Sequence, residues 1–322
     1  MPLRIGLLGA SRIAPRAVVE PAARRGDVHV TAVAARDPAK ARAFADEHGV
    51  DAVADDYAAL VRREDVDLVY NALPPSAHVE WTVAALEAGK AVLCEKPFAM
   101  NAGEARVMAD AARRTGAFLM EAFHYRHHRV MHEAVGLVRS GALGALAGGH
   151  AVFEAPIRRT DTELRWRAPL GGGGLMDLGT YPLHALRTLF GTEPAVRSAQ
   201  ATFEDGVDAV LEASLDFDDV PARIACSMVA SSPRVQLTLE GARGRITIVN
   251  FVGPQLGCRF TLELDGKVRT LPADGPTTYE AQLDHVLAVI GGMTPPLLTL
   301  GDAVAQMTAI DAIYAAAGRP DF

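Results

Sequence analysis

Lysine is the residue this chain nearly does without. Its 322 residues hold only four, Lys40, Lys90, Lys96 and Lys267, among 32 basic side chains. Cysteine is scarcer still. Cys94, Cys226 and Cys258 are odd in number and widely spaced, which excludes a disulfide framework and a zinc pattern and suits a reducing compartment. No apolar run approaches the roughly 20 residues of a membrane-spanning helix, so no membrane partner is expected. There is no basic tract, and the net charge of −7 comes from interspersed acids and bases, which argues against nucleic acid. The first strand begins within three residues of Met1 and leaves no room for a signal peptide, so a cytoplasmic location is expected. Repeats and low-complexity tracts are also missing. What remains is the composition of a globular protein, 49% hydrophobic and 22% charged, in a chain long enough for two domains.

The first 122 residues alternate strand and helix. Leu3–Leu8, Val28–Ala35, Asp67–Leu73, Ala91–Cys94 and Ala117–Glu121 read as strands, with helices through Ala17–Arg24, from Pro38, through Ala77–Ala88 and from Gly103 to Arg114. Apolar strands alternating with helices imply a doubly wound parallel sheet, an α/β Rossmann domain. The pattern changes from residue 123 to 322. A helix near 128–139, a strand near 146–154 and a helix near 179–190 lead into consecutive strands from about 195 to 271, with Asp265-Gly266 as a hairpin signal. Two helices follow. This predicts an α+β domain with a mostly antiparallel open sheet, helices on one face, and a second face that self-association would cover as a homodimer or homotetramer.

Gly9-Ala10-Ser11-Arg12-Ile13-Ala14 joins the first strand to the first helix and matches G-x-G-x-x-G/A with serine at the second glycine. The first glycine permits the turn, the small residue at Ser11 lets a pyrophosphate approach the backbone, and the helix start supplies amides to it. The second strand ends Arg36-Asp37. An acid there favours NAD by binding the ribose, and an arginine favours NADP by pairing with the 2′-phosphate. Arg36 lies nearer the strand end and Arg12 adds a second guanidinium, so NADP is preferred over NAD; Asp37 before Pro38 also suits a helix N-cap. Glu95-Lys96-Pro97 closes an apolar strand. Lysine is unlike arginine in that desolvation shifts its amine into the range of proton transfer, and one of so few lysines at a strand end is a candidate for chemistry. The plainer alternative is a surface ammonium.

These segments resemble the Gfo/Idh/MocA oxidoreductases, the family of glucose–fructose oxidoreductase and inositol dehydrogenase. The carriers are Gly9–Ala14, Leu73–His78, Glu95-Lys96-Pro97 and Asp177-Leu178-Gly179-Thr180-Tyr181. Met120–His124 and Gly172–Gly179 resemble the dihydrodiol and NADP-dependent sugar dehydrogenase branch. Ser11 departs from the glycine of many members. The resemblance implies that Lys96 hydrogen-bonds the reacting hydroxyl and that Asp177 and Tyr181 project towards the nicotinamide. It implies that cofactor binds along the carboxyl edge of the parallel sheet and substrate on the antiparallel sheet. The candidates for the cofactor site are Gly9, Ser11, Arg12, Ile13, Arg36, Leu73, Pro74, His78, Glu95 and Lys96, with Trp166 and Arg167 as candidates for contacting nicotinamide or substrate, and no metal is expected.

Physical chemistry is consistent with these roles. Positions i and i+4 share a helix face. A tyrosine with an ordinary pKa near 10 is drawn towards phenolate by a neighbouring ammonium, so Tyr181 with Lys96 would take the alcohol proton as hydride leaves carbon. Asp177 would orient the hydroxyl. The plain alternatives are a buried tyrosine, and a carboxylate stabilised at a helix start. His124, His127, His128 and His132 form a cluster in which His124, His128 and His132 share a face if the segment is helical throughout; solvated or hydrogen-bonded histidines are favoured over a metal site. His78 is read either as lining the cofactor edge or as a helix-start histidine, and His184 either as a second proton carrier or as a packed residue. Trp166-Arg167 suits a loop anchor equally well, the glycines 171–174 imply close backbone approach or a mobile loop, and Cys94 reads as strand core. The expected function is NAD(P)-dependent hydride transfer at a CH–OH carbon of a sugar, polyol or cyclic diol. A non-catalytic nucleotide-binding regulator and an NAD-dependent glycosidase are the alternatives. Phe153, Glu154, Arg158 and Arg165 are candidates for contacting substrate.

Overall fold

A computed structural model describes residues 2–319. Residues 2–123 with 279–304 form one compact unit, and residues 124–278 with 305–319 form the other. The expected division was a single cut after residue 122. In the structure, the helix after residue 278 and the start of the last one cluster with the first unit.

The first unit is built on a six-stranded sheet. Its strands are β1 (Leu3–Leu8), β2 (Val28–Ala34), β3 (Ala52–Val53), β4 (Leu68–Asn71), β5 (Ala91–Cys94) and β6 (Leu119–Glu121). The order is β3-β2-β1-β4-β5-β6 and every pairing is parallel, the doubly wound arrangement with its crossover between β1 and β4. Both faces are covered, so β4 and β5 are almost wholly buried apolar runs, as a parallel sheet requires. The helices are α1 (Glu20–Ala23), α2 (Pro38–His48), α3 (Tyr57–Val61), α4 (His78–Glu87) and α5 (Ala102–Thr115), joined late in the chain by α8 (Thr278–Ile290). Their limits follow local chemistry. The Asp37 carboxylate accepts from the Ala39 N–H at 2.9 Å and Pro38 opens α2, which ends at left-handed Gly49. Asn101 caps α5 in the same way, and Gly116 ends it. Strand β3 and helix α3 were not anticipated; each is too short to show a period. The expected helix Ala17–Arg24 is a π-helical turn, Pro15–Val19, running into α1. Ion pairs Arg24–Glu280 and Arg25–Asp284 tie α1 and its end to α8.

The second unit carries α6 (Arg129–Arg139), β7 (Leu146–Pro156), α7 (Thr180–Phe190) and seven further strands, β8 (Ala195–Glu204), β9 (Val207–Phe217), β10 (Val220–Ser227), β11 (Val229–Gly241), β12 (Gly244–Val249), β13 (Arg259–Leu264) and β14 (Lys267–Leu271). The sheet order is β14-β13-β12-β11-β7-β10-β9-β8, antiparallel except for β7 with β10. Tight turns set the register. Asp205-Gly206, Asp218-Asp219 and Asp265-Gly266 all have positive φ, as two-residue hairpin loops require. Alternation then decides the faces. Ala209, Leu211, Ala213, Leu215 and Phe217 of β9 are buried, whereas Glu212 between them is exposed. Helix α7 packs on the buried face, where Phe190 stacks on Phe217 at 4.4 Å between ring centroids. The last helix, α9 (Leu300–Ala317), supplies Gln306 to the α7 backbone at Thr180. Among the described residues, no helix is long and apolar enough to cross a membrane.

Candidate active site

In the first unit the candidate residues lie at the carboxyl ends of the parallel strands. Gly9 follows β1 with φ +95°, a conformation that disfavours any side chain, and its N–H donates to the Ala34 carbonyl at 2.8 Å. The Ser11 hydroxyl accepts from the Ala14 N–H at 3.3 Å, so the residue in place of the second glycine closes a local turn ahead of the helix. Arg12 is exposed and Ile13 half-buried. The π-helical turn begins at Pro15, which has no N–H, and the Ala17 N–H donates to the Ile13 carbonyl at 2.9 Å. At the end of β2 the Arg36 side chain is exposed and its backbone N–H donates to the Tyr57 hydroxyl at 3.0 Å. The neighbouring Asp37 carboxylate is engaged as the α2 cap. A glycine turn leading into a helix start and an exposed arginine after β2 are the parts a dinucleotide diphosphate and a 2′-phosphate need, so the residues present fit NADP.

Leu73, Pro74 and His78 follow β4. The Asn71 side chain, fully buried, accepts from the Leu73 N–H at 3.3 Å and donates to Thr82 at 3.1 Å, which holds the turn. His78 is fully buried. Its Nε2 lies 2.8 Å from the Leu73 carbonyl, and its Nδ1 lies 3.1 and 3.2 Å from those of Pro97 and Phe98. The imidazole thus straps the turn after β4 to the segment after Lys96. Burial lowers its pKa, against carbonyls that favour the charged form. Glu95 is buried and accepts from the Tyr70 hydroxyl at 2.6 Å and from the Lys96 N–H at 3.2 Å. Lys96 is half-buried and precedes a cis proline. Tyr279, at the start of α8, escaped the sequence reading because nothing nearby in the chain marks it. Burial raises its phenol pKa, and the Glu95 carboxylate adds to the effect. Cys94 is buried in β5 with its thiol pKa raised by burial, a strand-core residue.

In the second unit, a π-helical turn, Leu175–Gly179, runs straight into α7. Asp177 sits in that turn and Tyr181 is the second residue of α7, so one continuous helical segment carries both, though not as plain α-helix. Such π-turns recur at functional sites. Arg165 donates through Nε to the Asp177 carboxylate and through Nη1 to Glu163 at 2.9 Å. Asp177 first, and Glu163 further, raise the guanidinium pKa. Tyr181 is 6% exposed and its ring meets those of His124, Tyr125 and Phe153, each at 5.8 Å between centroids. The Tyr181 hydroxyl lies 3.2 Å from His124 Nε2, and His124 Nδ1 lies 2.8 Å from the Thr278 hydroxyl, which also accepts from Gln255 Nε2 at 3.3 Å.

His124 is therefore the partner of Tyr181, a link 57 residues long that no local pattern announces. The histidine cluster does not share one helical face. His124–His127 is a 3₁₀ turn, and His128 caps α6 by accepting from the Val130 N–H at 3.3 Å. Among the described residues no group of three or more His, Cys, Asp or Glu side chains is arranged to hold a metal ion. His184 is fully buried with Nδ1 2.7 Å from the Tyr125 hydroxyl. Trp166 donates to the Ile157 carbonyl at 3.1 Å beneath the Arg159 guanidinium, which is 4.0 Å from its ring, and Arg167 donates to the Asp161 carbonyl. These contacts close the 157–167 loop on itself.

Comparison with known proteins agrees with this architecture. Residues 3–123 match the model of an oxidoreductase family with an NAD-binding Rossmann fold, and residues 131–247 match the GFO/IDH/MocA C-terminal domain. The chain belongs to the Gfo/Idh/MocA oxidoreductase family. It is 32% identical over 321 residues to D-xylose 1-dehydrogenase (NADP(+)) 2 of Haloferax volcanii, covering 98% of this chain and 97% of that one. It is 33% identical over 294 residues to trans-1,2-dihydrobenzene-1,2-diol dehydrogenase of Xenopus laevis, covering 88% of each. A solved 3-ketoreductase from Actinomadura kijaniata, in complex with NADP and TDP-benzene, superposes with a TM-score of 0.89 at 27% identity, over 98% of both chains. The expected family, the two-sheet architecture and the oxidoreductase class are thus met.

Proposed function

We propose that this oxidoreductase uses NADP in preference to NAD and oxidises a secondary alcohol or hemiacetal carbon of a sugar, polyol or cyclic diol, or runs the reverse reduction. The observation that carries this reading is the Tyr181 hydroxyl, buried among aromatic rings and 3.2 Å from a histidine nitrogen. Bound NADP supplies the hydride acceptor. Lys96 donates a hydrogen bond to the reacting hydroxyl and polarises its O–H bond. Tyr181 takes the alcohol proton, and its own proton has a place to go at His124 Nε2, backed by Thr278 at Nδ1. In reduction the same groups return it. Asp177, held by Arg165, orients the hydroxyl. Gly9, Ser11, Arg12 and Ile13 hold the diphosphate end, Arg36 the 2′-phosphate, and Leu73, Pro74, His78 and Glu95 shape the edge along which the cofactor lies. Trp166 and Arg167 border the substrate or nicotinamide side. The relatives named above are a D-xylose 1-dehydrogenase, a trans-1,2-dihydrobenzene-1,2-diol dehydrogenase and a 3-ketoreductase, and the sugar, polyol or cyclic diol proposed here is chosen to match them.

A cytoplasmic homo-oligomer is part of the same proposal. The free cysteines Cys94, Cys226 and Cys258 support the compartment, and the face of the eight-stranded sheet opposite α7 is where the oligomer would form. The test is a panel of D-xylose, myo-inositol and trans-cyclohexane-1,2-diol with NADP⁺ and NAD⁺, following absorbance of the reduced cofactor. NADP-dependent oxidation of at least one is expected. Failure of the whole panel with both cofactors, in protein that binds NADP⁺, would overturn the reading.

A further inference from the structure

The helical segment bearing Asp177 and Tyr181 starts from a glycine run that is packed shut. Gly174 is the N-cap residue and has no side chain to offer, yet the first N–H groups of any helix need acceptors. Asp208 of β9 provides one. Its Oδ2 accepts from the Leu175 N–H at 2.7 Å, and its Oδ1 accepts from the Tyr314 hydroxyl of α9 at 2.7 Å. The carboxylate is 1% exposed and Tyr314 5% exposed, with Arg319 stacked 4.1 Å above the Tyr314 ring. A buried carboxylate is costly unless hydrogen-bonded; here both oxygens are occupied, and one lies at a helix start, where negative charge is favoured.

The glycines are what admit it. A Cβ at Gly173, whose φ is +135°, would collide with Asp208 Oδ1 and lie 2.8 Å from the Tyr314 hydroxyl. One at Gly174 would lie 2.9 Å from the Asp208 carbonyl oxygen. The same run holds the arginine that grips Asp177. Gly173 N–H donates to the Arg165 carbonyl and Gly172 N–H to the Arg167 carbonyl, each at 3.0 Å, and Asp177 N–H returns to the Gly173 carbonyl at 3.0 Å. Asp208, Leu175, Asp177, Arg165 and Gly173 therefore form a closed circuit, and a shift at Asp208 displaces both partners of the Arg165–Asp177 pair.

We propose that Asp208, held by Tyr314, is a positioning residue that sets the first turn of the segment carrying Asp177 and Tyr181 and thereby the alignment of the proton-transfer groups. The inference rests on the roles given to those two residues above. It is tested in the full chain with Asp208→Ala, Asp208→Asn and Tyr314→Phe, by steady-state kinetics with NADP⁺ and the panel alcohol that the wild type oxidises, and by hydrogen exchange of residues 172–181. Asp208→Ala is expected to lower kcat about 10²-fold, the scale of a displacement of about 1 Å at a reacting centre, while KM for NADP⁺ stays within about two-fold. Asp208→Asn, whose amide oxygen still accepts from Leu175, recovers most of the loss, and Tyr314→Phe costs about 5-fold. Exchange at 172–181 quickens in Asp208→Ala while β9 and β10 stay protected. Wild-type kcat in Asp208→Ala, or a loss matched by an equal rise in KM for NADP⁺, overturns the proposal. Should Asp208→Ala fail to fold, unchanged kcat and unchanged exchange in Tyr314→Phe overturn it. The exchange measurement needs no substrate, so it still decides the inference if the panel shows that the functional reading is wrong.

Discussion

Two glycine-bearing turns in this molecule share one local grammar and end differently. Gly9–Ala14 and Gly171–Gly174 both carry positive-φ glycine and both feed a π-helical turn, Pro15–Val19 in one case and Leu175–Gly179 in the other. At the first, the small Ser11 hydroxyl accepts from the Ala14 N–H at 3.3 Å, and the helix itself has no side-chain cap. A glycine turn leading into a helix start is the kind of site a phosphate takes. At the second, the chain supplies its own anion, Asp208, against Leu175. A glycine turn before a helix is therefore a socket. Whether it receives a ligand or an internal carboxylate depends on what the rest of the fold brings to it.

Filling the second socket where it is already full is expected to do the most damage. Gly173→Ala forces a side chain onto Asp208 at a φ of +135°, and should cost about 4 kcal/mol of stability by denaturant unfolding. Gly9→Ala, whose Cβ would meet Leu73 Cδ2 at 3.2 Å and the Ala72 carbonyl at 3.4 Å, should cost roughly half that and show mainly as weakened NADP⁺ binding. Equal costs at the two sites would erase the contrast. Next in size come the groups that move protons. Lys96→Ala and Tyr181→Phe should each lower kcat about 10²-fold or more, measured with the panel alcohol; wild-type turnover in either removes that residue from the chemistry.

The buried anion should also announce itself through pH. Burial raises the Asp208 pKa from an ordinary 3.8 to about 6. Folding thus favours its protonated form. That stabilisation is complete below pH about 4 and is lost as pH climbs through about 6, an effect on the order of 3 kcal/mol. Thermal unfolding of wild type and Asp208→Asn across that range measures it: the wild type should lose stability relative to the amide variant as pH rises, and parallel curves would count against a buried carboxylate. The smallest effect belongs to the open socket. Arg36→Ala should weaken NADP⁺ binding by about ten-fold, the scale of one charge-assisted contact, and spare NAD⁺. Equal losses for both cofactors would remove the 2′-phosphate role.

Much of the architecture was readable because its signals are local. Apolar strands alternating with helices, Asp37-Pro38 and Asp265-Gly266 each act within a few residues, and each appears where expected, as a cap or a hairpin turn. Strand β3 and helix α3 were missed because two and five residues carry no period. The shared histidine face required a continuous helix, and that condition fails, since the helix begins only at Arg129, after His128 has turned to cap it. The glycine run left two options open, close approach or mobility, and the packing of Asp208 and Tyr314 decides for close approach.

The chain by itself determined which residue types stand ready: a glycine turn after the first strand, one of four lysines beside a proline, a tyrosine four residues beyond an aspartate. It did not determine their partners. His124 reaches Tyr181 across 57 residues, and Tyr314 reaches Asp208 across 106. Backbone propensities act over a turn or a strand, whereas a buried polar atom must find its acceptor wherever the fold delivers one. Only the tertiary structure makes that choice.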